Sequence, residues 1–475
     1  MIQDLKPYPA YKNSDVPWLG KVPSHWEVAA CRHRYSQCLG KMLDTKRIRG
    51  EHLLPYLRNV DVQWDRINTS DLPLMDITPA EYDRYTLKSG DLLVCEGGEV
   101  GRCATWRGDL AICGFQKALH RLRPISGEDV PRFLHYVLMV ASQSGGFADG
   151  HESTIAHLTG DKLRAHRFSF PPLIEQSAVV RFLDHADRRI RRYIRAKRRL
   201  MALLNEQRQA IIHRAVTRGL DADVGLRHSG VEWLGDLPVH WEVRRAKQLF
   251  REVDSRSTTG TETLLSLRMF RGLVPHSEVS QIPITSKALV GFKRVAPGQI
   301  VMNRMRAAIG LFGVVRQSGL VSPDYAVFEP SEVADCDYFL HLFTTRAAGA
   351  VFRLESKGLG TGSAGFMRLY TDRFGIIKLP LPPPDEQRAI VQEIAVGTVE
   401  IDQTMDRINR EVNLLREYRS RLVTDVVTGK VDVREAAAGL PDESEESLCD
   451  ANALTEGDME TEDISLDAAT EEAEA

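Results

Sequence analysis

The sequence predicts an α+β fold: two tandem blocks, each followed by a long helix, with the two helices pairing as an antiparallel coiled coil of pseudo-two-fold symmetry. Three observations carry this reading. The 475-residue chain is written twice, each copy closes on a long heptad-spaced stretch, and the residues between alternate short β-like runs with turns.

The repeat is plain at its flanks. Residues 14–28 read SDVPWLGKVPSHWEV and residues 229–243 read SGVEWLGDLPVHWEV, an offset of 215. FPPLIEQSAVV (170–180) matches LPPPDEQRAIV (381–391) at an offset of 211, and the match runs without a gap to AVTRGLD (215–221) against VVTGKVD (426–432). Between the flanks it is weak, with GDLLV (90–94) answering GQIVM (298–302). Two units of this length point to a duplicated domain, not a solenoid. Trp18, Trp26, Trp233 and Trp241 are expected to anchor each copy on its own core.

Five segments follow in order: a block at 1–171, a helix at 172–218, a block at 219–382, a helix at 383–430 and an acidic tail at 431–475. In the first block, 91–106 and 111–124 read as strands joined by Gly-containing turns, and 135–141 as a short helix. Residues 174–217 contain neither Gly nor Pro, with Pro171 and Pro172 just before and Gly219 just after. Leu183, Ile190, Lys197, Leu204 and Ile211 recur every seven residues, and Ala186, Tyr193, Leu200 and Gln207 supply the intervening position. In the second block, 299–315 and 320–330 read as strands and 338–348 as helix. The second long helix carries Ile394, Ile401, Ile408, Leu415 and Leu422 as an unbroken seam, with Gly397 its weak point. Each long helix should reach ~65 Å at ~1.5 Å per residue.

Charge divides the chain where the repeat ends. The formal net charge is -3, yet residues 431–475 hold sixteen acidic side chains against Arg434 alone, so residues 1–430 carry +12. A basic body raises nucleic acid as a partner. The first helix is very basic, with Arg188, Arg189, Arg191, Arg192, Arg195, Lys197, Arg198 and Arg199, which suits either a solvated face or an anionic partner. The tail is expected to be disordered from 435, either competing with nucleic acid for a basic groove or merely solubilising the chain. Seven cysteines without Cys-x-x-Cys spacing, no leader-like N-terminus and no long apolar run point to a cytoplasmic protein with reduced thiols.

Candidate DNA-contacting residues gather in or beside predicted turns. The first block offers Lys46, Arg47, Arg49, Arg58, Arg84, Arg102 and Lys117, and the second Arg268, Arg271, Lys293, Arg294, Arg304, Arg306 and Lys357. Lys and Arg neutralise phosphates and Arg pairs bidentate with guanine. Asn59, Gln116 and Asn303 are candidates for adenine by the same geometry, and Tyr325 of SPDY (322–325) is a further candidate DNA contact. No catalytic residue is assigned. The chain has no phosphate loop for ATP and no His/Cys metal spacing, and GTGSAG (360–365) lacks the βαβ setting of a dinucleotide site and reads as a loop.

A duplicated variable block that opens with V-x-W-L-G-x-x-P-x-H-W-E-V and closes with P-P-x-x-E-Q before a long helix resembles the specificity subunit of type I restriction–modification systems. The resemblance spans residues 11 to 433. It implies that each block is a target-recognition domain reading one half of a split, asymmetric DNA sequence. The helices then set the gap and dock two methyltransferase subunits, which bring S-adenosylmethionine for adenine N6 methylation. ATP belongs to a restriction and translocation subunit, so this chain itself is expected to bind no cofactor or metal and no membrane. The alternative is a DNA-binding or coiled-coil adaptor outside restriction–modification.

Overall fold

A computed structural model describes residues 5–43, 50–147, 158–269, 271–280, 282, 284–359 and 366–441. Lys46, Arg47, Arg49, GTGSAG, Cys449 and the tail from 442 lie outside the described residues. The chain forms two compact units, Met1–Ile194 with Asn413–Ala475, and Arg195–Val412. The division falls inside both long helices. Each unit therefore holds one block and a stretch of each helix, because the helices bury side chains in the block cores.

In the first unit, β1 (Tyr35–Leu39), β2 (Leu92–Cys95), β3 (Cys103–Thr105) and β4 (Leu119–Pro124) form an antiparallel sheet ordered β3-β2-β4-β1. In the second, β5 (Phe250–Val253), β6 (Ile300–Met302), β7 (Phe312–Val314) and β8 (Ala326–Pro330) are ordered β7-β6-β8-β5. The strand order is the same, and the faint match of GDLLV to GQIVM marks β2 and β6. In each unit a helix follows the last strand and covers the sheet. Pro131–Gln143 buries Phe133, Leu134 and Val137, and Cys336–Phe343 buries Tyr338, Phe339 and Leu342.

The matched flanks meet in space. Glu27–Ala30 pairs antiparallel with Arg167–Phe170, and Glu242–Arg245 with Lys378–Leu381. The Gln of each P-P-x-x-E-Q segment then ties the helix start to the block. Gln176 Nε2 donates to Pro171 O at 2.9 Å while its Oε1 accepts from Val130 N at 2.9 Å. Gln387 Nε2 donates to Pro382 O at 2.8 Å while its Oε1 accepts from Asp335 N at 2.8 Å. Trp26 and Trp241 are fully buried, as anchoring requires, and Trp18 and Trp233 pack at the core edge.

The preceding Glu behaves differently in the two copies. Buried Glu175 accepts from Tyr8 Oη at 2.6 Å, His25 Nε2 at 2.8 Å and Trp26 Nε1 at 2.8 Å. Half-buried Glu386 accepts only from His240 Nε2, at 2.8 Å, among its described partners. Removing Glu175 strands two buried donors, each at ~1–3 kcal/mol. Glu175→Ala should therefore cost ~3–5 kcal/mol of stability, whereas Glu386→Ala should cost ~1 kcal/mol or less. Denaturant unfolding of the two variants measures the difference, and equal losses would contradict it.

The long helices span Leu173–Arg218 and Pro384–Val427. In the first unit, Leu183 and Ala186 share a core with Leu422, Val423 and Val426, and Asp187 pairs with Arg419. In the second, Lys197 meets Glu411 at 2.7 Å and Arg208 meets Asp402 at 2.8 Å. One residue number rises as the other falls, so this stretch is antiparallel. Ile394, Ile401, Ile408 and Leu422 are buried, Leu415 half-buried; Leu183 and Ile190 are buried, Leu204 and Ile211 half-buried.

The intervening position of the first seam differs from the expectation. Tyr193 and Leu200 are exposed, and Ile194 and the partly buried Met201 take their place. A seam advances by three or four residues in turn, and here the step from Ile190 is four. Gly429 closes the second helix with φ +74°, where a Cβ would lie 2.4 Å from Pro23 Cδ, so glycine alone suits both the turn and the close approach.

Disorder does not begin at 435. Arg434–Ala438 is a short helix, with Val433 and Ala437 buried in the first core, and Asp432 N donates to Lys6 O at 2.8 Å. The small apolar side chains of REAAA pack where the composition suggested only solvation. The six described cysteines are free thiols. Among the described residues, no helix is long and apolar enough to cross a membrane.

A charged network underlies the first block. Arg132 bridges Asp65 and Asp184, Tyr136 Oη donates to Asp184 at 2.5 Å, and buried His135 places Nδ1 3.5 Å from Cys103 Sγ. Burial, then the Arg132 guanidinium, pushes the His135 pKa down to about 3. The unfolded imidazole titrates near ~6.5, so below that pH the unfolded chain takes up a proton that the folded chain refuses. Stability should be full above pH ~6.5 and decline by up to ~1.4 kcal/mol per unit as the pH falls toward the folded value. His135→Gln should flatten the dependence between roughly pH 6.5 and about pH 5, and a slope equal to that of the unaltered chain would refute the assignment.

Candidate nucleic-acid interface

The first block brings most of its described candidates together at three neighbouring turns. Arg58 grips Asp61 with two nitrogens, at 2.8 and 2.9 Å, and opens the 3-10 turn Asn59–Asp61. Arg102 Nη2 donates to Asn59 O at 3.1 Å and to Asn59 Oδ1 at 3.3 Å, and Asn59 Nδ2 donates to Gly97 O at 3.1 Å. Gln116 N donates to Leu57 O and Glu96 N to Ala118 O, both at 3.0 Å, which sets the Gln116–Lys117 turn beside the other two. Met42, Leu43, Glu96, Gln116, Lys117 and Ala118 line a shallow concavity of about 330 Å³ there. Lys117 is exposed and Gln116 half-buried. Arg84 lies over the Tyr85 ring at 5.2 Å, a packing role.

The amide of Asn59 is engaged at both ends. Bidentate recognition of adenine needs one free acceptor and one free donor. Each end of the Asn59 amide keeps one further hydrogen-bonding position, but Arg102 and Gly97 fix its orientation, whereas Gln116 lines the concavity.

Two candidates of the second block are buried. Lys293 is buried and donates to Tyr325 O at 2.8 Å, with Glu252 at 3.7 Å. Burial, then the Arg304 charge, pulls its pKa below the ordinary lysine value. Tyr325 is buried in a core with Leu265, Val301 and Val327. Both lie inside the fold, with the ammonium bonded to the Tyr325 carbonyl just before β8. Asn303 is also committed, since its Oδ1 accepts from Met305 N at 3.0 Å and Arg306 N at 3.2 Å to hold the turn.

The remaining candidates cluster in part. Arg304 donates to Glu252 at 2.6 Å and to Asp324 O at 3.3 Å. Arg368, which the sequence reading missed, meets Asp324 at 2.9 Å, lies over the Tyr370 ring and stands opposite exposed Lys357 in a strand pair. Its signal was the basic-aromatic spacing of MRLY (367–370), just beyond GTGSAG. Arg271 pairs with Glu278 at 3.0 Å and Arg294 with Glu262 at 3.3 Å, both largely exposed. Arg268 ends a strand opposite Gly272, and Arg306 is half-buried beside Asn303. Arg271 and Arg294 are thus each held by a single carboxylate at the surface, pairs worth ~0–1 kcal/mol that a phosphate can displace. Among the described residues no His/Cys/Asp/Glu group is arranged to hold a metal ion.

Comparison with known proteins agrees with the resemblance read from the sequence. No family model matches the chain. A curated relative from Methanocaldococcus jannaschii is 21% identical over 445 residues, covering 88% of this chain and 96% of its own. It is provisionally named the type I restriction enzyme MjaX specificity subunit. A solved chain from work on "complex assembly and conformational transition of the type I R-M system" superposes with a TM-score of 0.58 at 15% identity, covering 86% of this chain and 98% of that one. The HsdS subunit of Thermoanaerobacter tengcongensis covers the same shares at 15% identity with a TM-score of 0.42. The fold is thus that of the first solved chain, and the sequence is similar along nearly its whole length to a specificity subunit.

Proposed function

We propose that this chain is the DNA-specificity subunit of a type I restriction–modification complex. It binds double-stranded DNA at a bipartite, asymmetric sequence, with each block a target-recognition domain for one half. The long helices form a pseudo-symmetric coiled coil that spaces the halves. They also dock two methyltransferase subunits, which supply S-adenosylmethionine and methylate adenine N6. A restriction subunit joins with its ATP. The chain contributes recognition and no catalytic group of its own, and works in the cytoplasm.

The observation that carries this reading is the shared strand order of two units whose exposed turns differ. One scaffold, bearing Gln116 and Lys117 on one copy and Arg304, Lys357 and Arg368 on the other, suits two unlike sites. The similarity to a specificity subunit over 96% of that relative supports it. Mapping methylated adenines in cells with and without the chain tests it. A split motif that loses methylation with the chain is expected, and an unchanged methylome refutes the proposal.

A further inference from the structure

The second unit carries a basic concavity that none of the candidate residues touches. Arg245 and Lys378 stand directly opposite each other where Glu242–Arg245 pairs with Lys378–Leu381. Lys247 follows two residues on, at the start of the short helix Ala246–Leu249. With Ser229, Val243 and Gln248, these three cations line a concavity of about 510 Å³. All three are exposed, and none has a carboxylate in ion-pair range among the described residues. Other cations of this unit are paired, among them Arg251 with Glu329, Arg256 with Asp254 and Arg304 with Glu252.

Like charges directly opposite in an antiparallel pair destabilise it. The fold does not require them here. In the first unit the same strand pair forms with Ala30 opposite Arg167. The second unit thus bears a repulsion that the architecture can do without, on a rigid pair of strands. Gln248 Oε1 accepts from Arg245 N at 3.0 Å and fixes the turn that carries the cations.

We infer that Arg245, Lys247 and Lys378 form a phosphate clamp that holds the DNA backbone without reading its sequence. The inference rests on the proposed DNA-binding function and adds a second point of attachment to it. The lining favours a phosphodiester: it offers charged and amide groups and no aromatic face for a base to stack on.

The test compares the full chain with its Arg245→Gln/Lys247→Gln/Lys378→Gln variant on a mixed-sequence DNA duplex across a salt series. Exposed polar exchanges should leave the circular dichroism and unfolding midpoint unchanged. Every phosphate that the protein no longer neutralises flattens the slope of log K against log salt by ~0.9. The variant's slope should therefore be shallower by ~1–3, with binding weaker on all sequences alike. An unchanged slope in a folded variant, beside steep dependence in the parent, overturns the clamp and leaves the proposed function standing. If the parent itself shows no salt-dependent binding, both fall. A peptide of residues 442–475 is the competing ligand; if it binds the parent and not the variant while the DNA slope is unchanged, the site belongs to acidic peptide and the clamp is refuted.

Discussion

Replacing residues 30–168 with the corresponding block of another such chain should change one half of the methylated sequence completely and leave the other half and the gap as they were. The described part of this segment holds the first sheet and its covering helix, and a separate apolar cluster of Leu57, Leu93, Trp106 and Phe115 under the exposed turns. The flanks stay behind, and with them the clasp of Glu175 on Tyr8, His25 and Trp26. Among the links that cross the junctions, three set the terms of the graft. Gln176 needs a backbone N–H at the position of Val130, which any incoming chain with the same turn provides. Glu27–Ala30 needs its strand partner at 167–170. Asp184 on the long helix needs a cation and a hydroxyl in place of Arg132 and Tyr136. A donor lacking them leaves Asp184 as a carboxylate without its partners, so such grafts should lose stability without altering which half changes. Methylated-adenine sequencing reads the result, and a change in both halves would end the modular reading.

The parts of this molecule that were legible in the sequence are those written in local periodicity. The long helices ended within two residues of their expected bounds at the N-terminal side and within three at the C-terminal side, because Pro and Gly punctuate them and nothing polar interrupts the seam of the second. The repeated flanks were visible because Gln176 and Gln387 tie each helix start to its block by the same bonds, and Trp26 and Trp241 fill the two cores. The slip from Tyr193 to Ile194 was not legible, since both are apolar and only burial separates them.

The site was less legible, because its partners lie far apart in the chain. Arg304 finds Glu252 across 52 residues, and Lys293 finds the carbonyl of Tyr325 across 32. A Lys beside a turn looks the same in sequence whether its ammonium meets solvent or a buried carbonyl. The cations at 245, 247 and 378 were invisible for a related reason: what sets them apart is that the strand pair gathers them on one concavity, which only the fold reveals.

Deleting one heptad from each long helix, 198–204 with 404–410, should shorten the gap between the two halves by ~3 base pairs. Seven residues at ~1.5 Å make ~10.5 Å, against ~3.4 Å per base-pair step. The choice of residues follows from the pairing. Lys197 with Glu411 and Arg208 with Asp402 bracket the excised stretch and meet again after it is gone. Two turns leave the seam within ~20° of its original phase, so the buried faces still match. Deleting the heptad from one helix alone forces a bulge or a register slip and should cost cooperative unfolding, which separates a ruler from a mere strut. The paired deletion should keep cooperative unfolding and abolish methylation at the original sequence, because the two halves of that sequence then lie ~10.5 Å too far apart for the shortened helices. Methylation should reappear at the same two halves with the shorter gap. A stably folded paired deletion that still methylates the original spacing would show that the helices do not set it.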